Sequence, residues 1–136
     1  MNPACHPALH TRTARAIAFA QGGYFVVTGV WPFVHMRSFL WITGPKTDLW
    51  LVETVGATVA AIGVTLLVAA SRRAVSFEIA LLGILAAVAL GGVETWYALQ
   101  ERIRWVYLGD AALEVAFIIG WSIALTRGPS AHSPGM

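Results

Sequence analysis

Two acids four residues apart, Asp110 and Glu114, sit near the start of the stretch Tyr107 to Gly120, whose other residues suit lipid. That spacing puts both on one helix face with Tyr107. A charge deep in a bilayer costs several kcal/mol, so such residues face the inside of a bundle and find a partner there. Glu53 and Glu94 fall at a similar depth, one to three turns from the same end of the chain's apolar segments. Carboxyl groups gathered in a low-dielectric site cannot all ionise together, so at least one is expected to keep its proton near neutrality. A group in that state can serve as acid, base or proton carrier. The chemistry fits an isomerase, a proton-coupled carrier or a quinone-binding subunit, and Asp110, Glu114, Glu94 and Glu53 are the candidates to perform it.

The basic groups at the same end are His35, Arg37, Lys46, Arg102 and Arg104. Paired with the acids, they would hold helices together and seal one end of a bundle, a structural role that requires no ligand. Trp31, Trp50, Trp96, Trp105, Tyr97 and Tyr107 lie nearby. They suit either the walls of an apolar ligand site or the aromatic belt at a membrane interface. The ligand-binding candidates are His35, Arg37, Trp50, Trp96, Tyr97 and Tyr107. Carboxylates also suit hard divalent cations, but the basic groups beside them argue against such a site. In the N-terminal tail, Cys5, His6 and His10 match no closed zinc spacing. No metal and no cofactor is expected.

Composition decides what positions these residues. Of 136 residues, 57% are hydrophobic and 12% charged, against about a quarter charged in soluble domains. The mean hydropathy is +0.69. With roughly 20 apolar residues needed per span, the chain accommodates four spans, short connections and no separate soluble domain. The net charge of +2 comes from nine Lys and Arg placed singly or in pairs, and no basic stripe for nucleic acid forms. A lone cysteine excludes the thiol pairs of quinone-linked disulfide-generating membrane proteins.

Residues 1–13 lack periodicity and read as a mobile tail. Spans follow over about 14–35, 49–70, 77–99 and 105–125, within a bundle of residues 14–127, and 128–136 reads as a disordered tail. The first span ends around Trp31-Pro32-Phe33, and 36–46 reads as a short interfacial segment and a turn at Gly44-Pro45. Ala18-Phe19-Ala20 has the form of a signal-peptidase site, but almost no apolar run precedes it, so the first helix is read as uncleaved. Thr47 or Asp48 offers an N-cap for the second span and Ser76 one for the third, with Glu78 placed where the helix dipole favours an acid. Small residues spaced by four, as in Gly83, Ala87 and Gly91 or Gly56 and Ala60, mark helix–helix packing faces. On the fourth span, the stripe Ala112, Ala116, Gly120 and Ala124 lies roughly opposite the acids and predicts a homo-oligomer.

Arg12, Arg15, Arg72, Arg73 and Arg127 fall on the side of the termini, against Arg37, Lys46, Arg102 and Arg104 on the other. That bias, weighted by the pair flanking the first span, puts both termini in the cytoplasm. A short internal likeness, Thr28-Gly29-Val30-Trp31 with Gly92-Val93-Glu94-Thr95-Trp96, fits two helical hairpins in parallel repeat.

The run Thr43-Gly44-Pro45-Lys46-Thr47-Asp48-Leu49-Trp50-Leu51-Val52, with Tyr107-Leu108, Asp110-Ala111-Ala112 and Glu114, resembles a group of small bacterial membrane proteins. In size and four-span layout these are similar to the DoxX-like family. The resemblance implies a bacterial inner-membrane protein and carries over no catalytic residue. Small multidrug exporters carry their essential glutamate in the first span, where this chain has only Gln21. Sterol-isomerase-like bundles, which place acids among their helices, are the nearest enzymatic analogue. The expected whole is an all-α, integral membrane four-helix bundle. It is a non-enzymatic accessory or small-molecule-binding protein, with the lipid bilayer, an apolar small molecule and its own copies as partners. The alternatives are a membrane-embedded, isomerase-like enzyme using Asp110 and Glu114, or a proton-coupled transporter.

Overall fold

The structure is a computed structural model and describes residues 12–127. Four helices follow one another: α1 (Arg12–Thr43), α2 (Leu49–Ser71), α3 (Phe77–Leu99) and α4 (Val106–Thr126). All four are long and apolar enough to cross a membrane. The described residues contain no strand. The tails at 1–11 and 128–136, with Cys5, His6 and His10, lie outside the described residues.

Contact is most extensive between α1 and α2 and between α3 and α4, and the two pairs meet chiefly through α1 and α4. α2 and α3 barely touch. The α1–α2 seam depends on glycine. A Cβ on Gly29 would lie 2.5 Å from the Gly56 carbonyl oxygen, and one on Gly63 would lie 2.7 Å from that of Gly22. Two glycine pairs seven residues apart therefore bring the backbones into contact, as small residues do in lipid.

α1 runs eight residues past the end expected for the first span. It bends at His35, whose φ of −153° and ψ of 76° are not helical. Pro32 just before the bend has no backbone N–H and its ring crowds the preceding turn. His35 then acts as the N-cap of the next segment: its Nδ1 accepts from the Ser38 N–H at 3.1 Å. Trp31 holds the two parts together, donating from Nε1 to Ser38 Oγ at 2.9 Å and meeting Phe39 edge-on. Gly44 ends the helix with φ +96° and donates to the Leu40 carbonyl, a left-handed stop that glycine permits. The helix thus continues through what the sequence marks as interface, because Gly44 and not Pro32 terminates it.

α2, α3 and α4 begin and end within a residue of the stretches read from the sequence, whereas α1 already includes Arg12. Ser76 caps α3 by accepting from the Ile79 N–H. Asp48 holds the N-cap position of α2, but its side chain makes no capping bond.

The tight core lies at the end where α1 begins and α4 finishes. Ala14, Ala18, Leu66, Ala70, Val75, Ala80, Trp121 and Ala124 pack there. One turn inward, Gln21 is fully buried; its Nε2 donates to the Gly83 carbonyl at 2.9 Å, and its Oε1 accepts from Trp121 Nε1 at 2.7 Å. Those two bonds tie α1, α3 and α4. On the fourth-helix stripe, Gly120 faces Ile17 and Ala124 is buried, whereas Ala112 and Ala116 are exposed. Half of the face assigned to a second copy is therefore occupied by α1.

Candidate functional site

Above the Gln21 layer the bundle loosens. Tyr24, Phe25 and Phe117 form a floor of rings with centroids 6.0 to 6.5 Å apart. On α4, Tyr107, Asp110, Glu114, Phe117 and Trp121 recur every three or four residues, so one face runs from the buried core to the acids. On α3, Gly83, Ala87, Leu90 and Glu94 do the same. Over the floor lies a cavity of about 310 Å³. All four helices line it.

Its polar groups are few. The Tyr24 hydroxyl donates to Asp110 Oδ1. Glu94 and Asp110 line the same cavity. Glu114, 1% exposed, completes the group; its Oε2 and that of Glu94 are buried without a hydrogen-bond partner. The Glu114 Cγ and Cβ stand against the small surface of Gly91, where a Cβ would come within 3.1 Å. Glu114 also lines a second, outward groove between α3 and α4, beside Thr95 and Trp96.

Among the described residues no basic side chain forms an ion pair with Glu53, Glu94, Asp110 or Glu114. The basic groups near them do other work. Arg104 donates to the Trp41 carbonyl at 2.8 Å, near the end of α1. At the opposite end, Arg15 donates to Ala70 at the end of α2. Carbonyls at helix C-termini lack intrahelical partners, and these guanidinium groups satisfy them. Lys46 lies at the cavity wall with its Nζ 5.0 Å from the Tyr107 ring centroid.

Of the four acids chosen for chemistry, the structure brings Asp110, Glu94 and Glu114 together and leaves Glu53 out. Glu53 is exposed on α2, whose cavity face is carried by Leu51, Val52, Val55, Gly56 and Val59. Of the ligand-binding candidates, Tyr107 lines the cavity. His35 is exposed and caps a helix segment, and Arg37 is exposed. Trp50 and Trp96 are 67% and 64% exposed and Tyr97 is exposed as well, while Trp41 and Trp105 at the same end are 78% and 83% exposed. That distribution is the one an interfacial belt requires. Tyr24 was not singled out by the sequence, although a hydroxyl in the middle of an apolar run is the available signal.

Leu51 and Val55 both line the cavity and are about half exposed. They place its mouth along α2. Among the described residues no three His, Cys, Asp or Glu side chains are grouped so as to hold a metal ion. No protein-family model, no curated protein and no solved structure matches this chain.

Proposed function

We propose that the chain is a multi-pass membrane protein that binds an apolar small molecule carrying a polar end, without transforming it. The observation that carries this reading is the cavity itself: a space of about 310 Å³ with apolar walls, three carboxyl groups at one side and no ion pair closing them. Ligand sites of this type have a few polar groups set in an apolar surround. A structural ion-pair cluster would instead fill the space and close each acid with a cation. The mouth along α2 would give a lipid-dissolved molecule access from the side.

The reading includes a bacterial inner-membrane location with both termini in the cytoplasm, a layout of two helical hairpins in parallel repeat, and kinship with DoxX-like proteins. It also includes a homo-oligomer, joined through the exposed Ala112 and Ala116 end of the fourth-helix stripe.

Photolabelling tests the binding reading. A neutral alkyl diazirine probe, applied to the protein in nanodiscs, is expected to label cavity residues such as Tyr24, Leu90 and Glu94 saturably. Filling the space by Leu90→Trp should remove that labelling, at a stability cost of about 1–3 kcal/mol. Labelling confined to the outer belt of Trp41, Trp50 and Trp96 would overturn the reading.

A second reading rests on the contact of Tyr24 with Asp110 in a cavity that Glu94 and Glu114 also line, which gathers hydroxyl and carboxyl groups in one apolar space. On that ground the protein is an isomerase-like enzyme with Asp110 and Glu114 in acid–base roles. Turnover abolished by Asp110→Asn with probe binding intact would favour it.

A further inference from the structure

The cavity holds an imbalance of hydrogen-bonding groups. Three carboxyl groups supply acceptors, and among the described side chains only Tyr24 donates to any of them. Glu114 is 1% exposed, lines the cavity, and leaves Oε2 without a partner; Glu94 leaves Oε2 in the same condition. A buried acceptor without a donor is costly, and water or a ligand is what relieves it. Apart from Thr28, Lys46 and Tyr107, the remaining walls, among them Phe25, Val52, Val55 and Leu90, are apolar.

Deepening the binding reading, on which this rests, we infer that the cavity takes lipophilic amines: an apolar body with a protonated amino head directed at Glu94 and Glu114. The head supplies what the site lacks. An ammonium is all donor, offers up to three hydrogen bonds and carries the charge complementary to carboxylates. Bonds with both partners charged are about twice as strong as neutral ones. Lys46, whose ammonium also lines the cavity, is engaged with the Tyr107 ring and the Thr43 carbonyl and pairs with none of the three carboxyls. A fatty carboxylate would bring more acceptors and a like charge. An alcohol could satisfy one acceptor only.

Decylamine, decanol and decanoate, matched in tail, test the class as competitors of the alkyl diazirine probe in zwitterionic nanodiscs at equal membrane concentration. Decylamine is expected to displace the probe at about tenfold lower concentration than decanol, with decanoate the weakest. Glu114→Gln, and separately Glu94→Gln, should bring amine and alcohol within about twofold of each other, chiefly by raising the amine concentration needed. Two variants are used so that loss of folding in one leaves the other to decide. Equal displacement by decanol and decylamine, or an amine preference surviving in both variants, overturns the amine class and leaves the binding reading standing. Absence of saturable labelling in the parent protein overturns the binding reading and the amine class with it.

Discussion

Trp121→Ala is expected to destabilise the bundle by about 3–5 kcal/mol, read as a lowered unfolding midpoint in detergent. Trp121 is fully buried, the largest side chain in the core between α1, α3 and α4. Its removal leaves a large void among residues that are mostly alanine and cannot move in to fill it. It also strips the donor from Gln21 Oε1, which has no access to water, and a buried acceptor left alone adds about 1–3 kcal/mol. Trp121→Phe separates the two effects. It keeps most of the volume and should cost only the hydrogen-bond part.

The second large effect concerns the α1–α2 seam. Gly29→Val is expected to prevent the two helices from docking and so to give protein that is degraded or aggregated on extraction. The reason is geometric. The first carbon of any side chain there would meet the Gly56 carbonyl oxygen at 2.5 Å and the Ala60 nitrogen at 2.7 Å, and both obstacles are backbone. Nothing can rotate aside, so α1 and α2 must separate, and the cavity face of α2 goes with them. Gly23→Val is the matched control, since a Cβ at Gly23 meets nothing within 4 Å. Wild-type-like extraction of both variants would show that the seam is not as close as described.

The fold was legible in the sequence for physical reasons that also explain the failures. Four apolar runs of spanning length, punctuated by Ser76, Arg72-Arg73 and Gly44-Pro45, set the helices, because the cost of exposing backbone in lipid leaves no alternative to a helix. The bend at His35 was hidden because Pro32 and Gly44 are both helix-ending signals, and the capping by His35 and Ser38 that links them is read only in three dimensions. Depth was legible and azimuth was not. Glu53 lies at the depth of the other acids, but α2 presents Val52, Val55, Gly56 and Val59 inward, and counting turns from a loop cannot rank faces of a helix that is apolar all round. Charge complementarity suggested ion pairs for these four acids, and among the described residues they have none; Arg104, one of the proposed partners, instead satisfies a helix-end carbonyl, an acceptor that any sequence contains and none displays. The small-residue stripe on α4 was read as one surface, yet Ile17 reaches Gly120 and uses half of it.

In the proposed binding role the acids are held open for a ligand and not for the fold. Unfolding of the Glu94→Gln, Glu114→Gln double variant in detergent, against the parent protein and without any ligand, tests this most directly. Glutamine fills the same space and brings an amide donor, so the stability should be equal to the parent's or higher, because two unpartnered acceptors are relieved. A loss of about 3–5 kcal/mol, the size expected when one side of a buried ion pair is removed, would show that the acids are structural and would contradict the account.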